Sequence, residues 1–359
     1  MLDLFKLIIF FIIYMHRISK YSYQLINNLC NRNETRISKS LLLNMQSIPK
    51  KNQILIASQY VYNELPIRLA KRVKDLEHLP LRLENSHEIF QIRDWYLQSL
   101  NDITIIKKPQ NEEDCNKMFD VINLIHNRHS DTMNIMAFGI HKLKENNLIN
   151  NNIDKFLTEF YYNRTKTRFL IRNYLDYFNN NTNNIGALTK NCKIKDVIDD
   201  VLYDIEILTE HHHINMPTIN VNIQNKEFIY VKSYLHYILI EIIKNSLVAI
   251  KDTKQPLIEI NSYIDNNYII LKISDNGSGI DDIHKNDIWN FSFTTSTIDY
   301  NKNVHDNFDK KPPISGFGYG LPISRIILQT FNGNIRIFSQ KDIGTDTYLF
   351  IDISSNWQF

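Results

Sequence analysis

Glu241-Ile242-Ile243-Lys244-Asn245 lies inside an apolar-periodic segment, residues 231–252, whose spacing predicts a helix. An acid and an amide four residues apart share one face of that helix, one turn apart. Three stretches rich in polar residues or glycine follow: Asp275-Asn276-Gly277-Ser278-Gly279, Gly316-Phe317-Gly318-Tyr319-Gly320-Leu321 and Gly344-Thr345-Asp346. The chain holds only nine glycines, and Gly277, Gly279, Gly316, Gly318, Gly320, Gly333 and Gly344 all fall in or beside these stretches. Elsewhere glycine is nearly avoided, so the clusters stand out from the background.

Together the four pieces can close around one nucleotide, which needs a cation for its phosphates, donors for their oxygens and a reader for its base. Asn245 offers an amide oxygen suited to Mg2+, which keeps most of its coordination for phosphates and water. The glycines of 316–320 let backbone N–H groups approach phosphate, and Leu321-Pro322 then opens a helix whose N-terminus favours anions. Asp275 ends a strand, where its carboxylate can accept from an adenine amino group, and Gly277 and Gly279 let the chain turn beneath the base. Glu241 is the remaining carboxylate, placed to take a proton from an attacking hydroxyl. No phosphate loop ending in Gly-Lys-Ser/Thr occurs, and neither does Asp-Phe-Gly or His-Arg-Asp, which excludes a eukaryotic-type protein kinase domain.

Around these pieces the pattern mixes elements. A helix is expected over 195–211 and strands over 217–223 and 227–231. The opening helix comes next, followed by strands over 257–264 and 268–274, a helix over 322–331, and strands over 335–338 and 348–353. Helices mixed with strands joined by short turns imply a two-layer α/β sandwich. Upstream, helical spacing runs over 58–76, with a bend or new first turn at Pro66 and a stop at Pro80. It continues over 88–100, over 112–149 as one or two helices, and over 152–178. Long amphipathic helices with short breaks predict an antiparallel bundle over 50–178. The asparagine-rich 179–191 reads as a linker or surface loop before a second domain at 192–354.

The chain's 359 residues allow two domains with real cores, and a net charge of +2 implies no general attraction to nucleic acid or lipid. Cys30, Cys115 and Cys192 show no disulfide or zinc spacing, which fits a reducing compartment. Residues 1–36 read as a leader. The apolar run over 7–15 is too short to span a membrane, and the basic and hydroxyl residues after it suit a mitochondrial-type targeting segment better than an anchor.

With the motifs in order, the chain resembles the GHKL superfamily with its Bergerat ATP-binding fold. It resembles still more closely the mitochondrial pyruvate dehydrogenase kinases and branched-chain α-ketoacid dehydrogenase kinases. The likeness rests on Glu241 with Asn245, Asp275 to Gly279, Thr294-Thr295, Gly316 to Arg325, and Gly344-Thr345. In the N-terminal half it rests on Tyr62-Asn63-Glu64-Leu65-Pro66-Ile67-Arg68-Leu69-Ala70, Asn127-Arg128-His129 and Phe160-Tyr161-Tyr162-Asn163-Arg164. The resemblance implies a four-helix bundle followed by a GHKL domain, and a kinase that transfers the γ-phosphate of ATP to a serine of E1α in a 2-oxoacid dehydrogenase complex. It makes Glu241 the general base and Asn245 the Mg2+ ligand. The nucleotide contacts it implies are Asp275, Gly277, Gly279, Thr294, Thr295, Gly316, Phe317, Gly318, Tyr319, Gly320, Leu321 and Thr345. It further implies K+ as a cofactor, the lipoyl-bearing domain of E2 as a partner, a homodimer and the mitochondrial matrix; no nucleic acid is expected.

Three departures from that family stand out. Tyr237 occupies the position, one turn before the glutamate, where pyruvate dehydrogenase kinases carry a histidine, and Val248 replaces an arginine. The chain's end at Phe359 leaves little tail for dimer crossover, which is closer to the branched-chain enzymes. The departures keep open a nucleotide-binding pseudokinase scaffold, and His129 raises a sensor histidine kinase. The structural alternative for His129 is a hydrogen-bonded core histidine of the bundle. For His211-His212-His213 a surface helix end is expected, and for the aromatic residues over 156–178 a core. The basic face of Lys51, Arg68, Lys71, Arg72 and Lys74 is expected to be solvated or to meet an acidic lipoyl domain.

Overall fold

The computed structural model describes residues 20–79, 86–145, 152–178, 183–295, 318–354 and 356–359. The first part of the expected leader, Pro80, residues 179–182, Gly316 and Phe317 lie outside the described residues.

Helices α1 (Lys20–Cys30) and α2 (Lys39–Asn44) precede the bundle. The bundle is built from α3 (Lys50–Glu77), α4 (His87–Ile105), α5 (Glu112–Arg128) and α7 (Ile153–Asp176), and α6 (Thr132–Glu145) packs on α4. Apolar stripes at helical spacing make the core: Val61, Leu65, Leu69 and Val73 of α3 meet Ile92, Leu100 and Ile103 of α4, Met118 and Ile122 of α5, and Leu157 and Phe160 of α7. The Asn111 side chain caps α5 by accepting from Asp114 N–H at 3.0 Å, and Glu112, Glu113 and Asp114 complement the helix dipole in the first turn. The expected helix over 112–149 is two, broken at His129 to Asp131. Helix α3 starts earlier than expected and runs through Pro66 as one element.

The expected solvated basic face is a mixed one. Arg68 and Arg72 are buried, while Lys51 is 77% exposed. Local carboxylates explain the burial: Arg68 reaches Glu64 and Glu34 at 3.5 and 3.6 Å, and Arg72 reaches Asp75 at 2.7 Å. A buried guanidinium persists only with such partners.

The stretch expected as a linker over 179–191 carries structure from residue 183 onward. Strands β1 (Asn184–Ile185) and β2 (Leu188–Lys193) form a hairpin, and β2 pairs with β4 (Glu227–Tyr230). Ile185, Ala187 and Leu188 are buried there, and Asn173 Oδ1 of α7 accepts from Ala187 N–H at 3.1 Å. The polar composition hid a short hairpin that is buried from the bundle side.

The second domain is a two-layer sandwich. Its five-stranded sheet has the order β3-β5-β6-β8-β7, with β3 (Thr218–Asn222) parallel to β5 (Leu257–Ile264). The remaining pairs, among β5, β6 (Tyr268–Asp275), β8 (Gly344–Asp352) and β7 (Asn334–Gln340), are antiparallel. Period-two burial puts Ile258 and Ile260, then Ile269, Leu271 and Ile273, then Leu349 and Ile351, on one face. That face meets the helices α9 (Lys232–Ala249) and α10 (Gly320–Thr330), with α8 (Ile194–His211) packed on α9.

Helix α7 carries the join between the two domains. Its Phe169 packs edge-on against Phe331, Trp357 and Phe359 at 5.4–5.8 Å between ring centres. Residues 357–359 pair with the segment before α2 through Ile37 N–H to Phe359 O at 2.9 Å and Lys39 N–H to Trp357 O at 3.0 Å.

Candidate nucleotide site

Burial orients α9. Leu235, Ile238, Leu239, Ile242, Ile243 and Leu247 face the sheet, which leaves Glu241, Lys244, Asn245 and Val248 on the other side. Lys244 Nζ donates to Glu241 Oε1 at 3.0 Å, with the two side chains 15 and 17% exposed. Asn245 is exposed, and its amide has no hydrogen-bond partner among the described residues. A free amide oxygen one turn from a carboxylate fits Mg2+, for which one protein oxygen beside substrate phosphates suffices. Val248 is 47% exposed.

The start of α10 lies on this pair. A Cβ placed on Gly320 would collide with Glu241 Oε2. Among the described residues no side chain caps α10, and the positive end of its dipole lies beside Glu241. Gly318, at φ +84°, turns the chain against the Phe293 carbonyl and Thr294, which is half-buried; Thr295 is exposed. Tyr319 is buried and Leu321 half-buried.

The Asp275 end is built on the residue of α9 that follows Asn245. Ser246 Oγ–H donates to Asp275 Oδ2 at 2.9 Å, and Gly277 N–H donates to Oδ1 at 3.1 Å. Burial pushes the Asp275 carboxyl up from its ordinary value, and donors from Gly277, Ser246 and Thr345 oppose that push. Thr345 faces Asp275 across the β6–β8 ladder. Gly277 lies on the end of α9, where a Cβ would come within 2.6 Å of the Ala249 carbonyl, and Ser278 N–H donates to that carbonyl at 2.9 Å. Gly279 has φ +63°.

One helix therefore joins the two ends of the site. Glu241 and Asn245 stand at one end and Ser246 anchors Asp275 at the other. The sequence reading passed over Lys244 and Ser246. Both sit in or beside the quoted pentapeptide, and the i, i+3 spacing of Glu241 and Lys244 was the available signal.

Tyr237, one turn before Glu241, holds its proton far more tightly than an ordinary tyrosine, through burial and then the charge of Glu241. It stays neutral throughout the physiological range. His236 turns the other way and meets Asp204 of α8 at 3.0 Å.

His129 is 4% exposed, with Nε2 3.0 Å from Ser99 Oγ. Burial and the charges of Arg164, Arg128 and Arg168 bring its value down to about 2. A neutral ring in the bundle core is a structural histidine with no approach for a phosphate. His211 ends α8, and His213 takes a left-handed φ of 55°, which makes the triplet a helix terminus.

The family model described as "Mitochondrial branched-chain alpha-ketoacid dehydrogenase kinase" matches residues 36–214, and that for "Histidine kinase-, DNA gyrase B-, and HSP90-like ATPase" matches residues 231–355. The chain is 29% identical over 319 residues to [pyruvate dehydrogenase (acetyl-transferring)] kinase isozyme 4, mitochondrial, of Mus musculus, covering 83% of this chain and 76% of the relative. It is 29% identical over 331 residues to [pyruvate dehydrogenase (acetyl-transferring)] kinase, mitochondrial, of Arabidopsis thaliana, covering 89 and 90%. The Drosophila melanogaster kinase of that name is 28% identical over 324 residues, covering 83 and 77%. A bundle matching one model, a sandwich matching the other, and a Glu–Lys–Asn face beneath a glycine-opened helix converge on one assignment. The chain belongs to the pyruvate dehydrogenase kinase and branched-chain α-ketoacid dehydrogenase kinase family of the GHKL superfamily, and is an ATP-dependent protein-serine/threonine kinase.

Proposed function

We propose that this kinase phosphorylates a serine of the E1α subunit of a mitochondrial 2-oxoacid dehydrogenase complex and so inhibits it, in the matrix. The observation that carries the reading is Glu241, held between Lys244 and Gly320 and one turn from the free amide of Asn245. In this reading the serine oxygen attacks the γ-phosphorus, its proton passes to Glu241, and ADP leaves. Asn245 would hold Mg2+, which neutralises phosphate charge. Asp275, Gly277, Gly279 and Thr345 surround the base. Thr294, Thr295, Gly318, Tyr319, Gly320 and Leu321, with Gly316 and Phe317, serve the phosphates.

The relatives' names favour pyruvate E1α and the bundle's family model favours branched-chain E1α, so both belong in one assay. Two features support the partners. A half-open cavity of about 340 Å3 between α3 and α7, lined by Phe156 and Phe160 together with Lys74, Asp75, His78, Glu159 and Asn163, has room for a lipoyl arm of E2. The open sheet face exposes Tyr263 and Phe338, which suits a homodimer.

Labelled ATP with each E1α tests the reading, with K+ replaced by Na+ in a parallel arm. Label on serine that Glu241→Gln reduces by at least about a hundredfold supports it. No label on either E1α overturns it and leaves a nucleotide-binding scaffold, whereas a Glu241→Gln variant as active as the parent overturns Glu241 as the base.

A further inference from the structure

The bundle reaches into the nucleotide site at one residue that the catalytic reading leaves unused. Ser292 follows the strand β6 loop and stands two residues before Thr294. Its N–H donates to Asp154 Oδ1 at 2.8 Å, and its Oγ–H donates to Asp154 Oδ2 at 2.6 Å. Its carbonyl accepts from Lys144 Nζ at 2.8 Å. All three polar groups of Ser292 are thus taken by bundle residues, at the end of α6 and the first turn of α7. Two turns along α7, Tyr161 stacks on Phe291 at 4.9 Å and meets Tyr319 edge-on at 5.7 Å. Phe291 and Tyr319 also touch, at 5.0 Å. The aromatic contacts fix the place of this backbone, and the Asp154 fork fixes its register, since a bidentate carboxylate accepts from one N–H and one O–H in a single orientation.

We propose that Asp154 is a positioning residue for the kinase reaction. Through Ser292 it sets the backbone that carries Thr294 and the Phe293 carbonyl. Gly318 packs on that carbonyl, and Gly320, two residues on, lies against Glu241. The proposal rests on the nucleotide-site reading given above. Its site is on the bundle, so an event in the bundle that breaks the fork would alter nucleotide affinity without touching the nucleotide.

The test compares Asp154→Ala, Asp154→Asn, Ser292→Ala and the Asp154→Ala/Ser292→Ala pair in the full chain. Affinity for a fluorescent ATP analogue is read without protein substrate, and KM for ATP, kcat and melting temperature are read alongside. Asp154→Ala is expected to weaken nucleotide affinity by about tenfold, the scale of hydrogen bonds to a charged group. Melting of the nucleotide-free chain should fall by only a few degrees, about what one such bond is worth in a chain of this size. Asp154→Asn, which keeps one acceptor, should lie between, and the pair should be no weaker than Asp154→Ala alone. Affinity within about twofold of the parent, with only the melting temperature lowered, overturns the proposal and leaves an interdomain staple. Should Asp154→Ala not fold, Ser292→Ala decides on the same affinity readout. Failure here would leave the Glu241→Gln result untouched, so the two readings fail separately.

Discussion

Lys244 Nζ stands 3.0 Å from Glu241 Oε1, three residues further along one face of α9, and both side chains are largely withdrawn from water. The glutamate comes first in the pair, the favourable order along a helix dipole. At this depth the contact outweighs a surface ion pair, because solvent screens it less. Lys244→Met would leave Glu241 free to rotate away from the serine. Phosphorylation kcat is expected to fall by about ten- to a hundredfold, with a smaller loss in ATP affinity, in steady-state kinetics at varied ATP.

Gly320 has an ordinary backbone conformation, so only space forbids a side chain there. Its missing Cβ is the room that Glu241 Oε2 occupies. Gly320→Ala should therefore displace the carboxylate and lower kcat by at least about tenfold, the cost of a misplaced catalytic group. The melting temperature should hold within a few degrees, because α10 gains helix propensity as it loses the contact. A loss of stability that matches the loss of rate would contradict this account.

Burial raises the Asp275 carboxyl above its ordinary value of 3.8, against the donors from Gly277 and Ser246. An adenine amino group needs the ionised form. Acidification should therefore weaken ATP binding at a higher pH than an ordinary aspartate would allow. In the folding balance the sign is opposite to the usual one for a carboxylate. The native state binds the proton more tightly than the unfolded chain, so the charged form costs stability above the unfolded value, and the cost is relieved as pH falls through the folded one. Asp275→Asn should cut ATP affinity by at least about tenfold while changing the melting temperature little, since losing one accepted hydrogen bond offsets removing a buried charge. Calorimetric titration with ATP at several pH values reads both effects.

His129 falls from 6.5 to about 2 in the folded protein. Between those values the unfolded chain takes up a proton that the native chain refuses. Stability from this residue is complete above 6.5 and is lost as pH falls below it, by at most about 1.4 kcal/mol per pH unit. His129→Gln should flatten urea unfolding free energies between about pH 6.5 and 4.5 relative to the parent, at some cost in stability near neutrality.

The sandwich was legible because its strands alternate and its turns are short. The strand expected over 257–264 is β5 itself, and that over 268–274 is β6 but for one residue. The face of α9 followed from counting, and it brought Glu241 and Asn245 to one side as expected. Contacts between distant parts of the chain left no periodic trace. Arg68 reads as a solvated cation until Glu34, from the segment before the bundle, reaches it. The hairpin at 184–193 reads as a loop until β4 and Asn173 cover it. Ser292 and Asp154 are separated by 138 residues, and neither has a pattern that points to the other.

Helix α7 touches the second domain at Asp154, Tyr161, Phe169 and Asn173, spaced so that all four share one side of the helix. Over that span the helix is roughly 28 Å long and has no break. It therefore behaves as a shaft with four teeth meshed into one wheel. A small turn of the shaft shifts the hairpin, the Phe331–Trp357 cluster, the Tyr319 wedge and the Ser292 fork in a single stroke. Whatever docks on the bundle and moves α7 would reach the Thr294 and Tyr319 side of the site through the Ser292 fork and the Tyr161 stack.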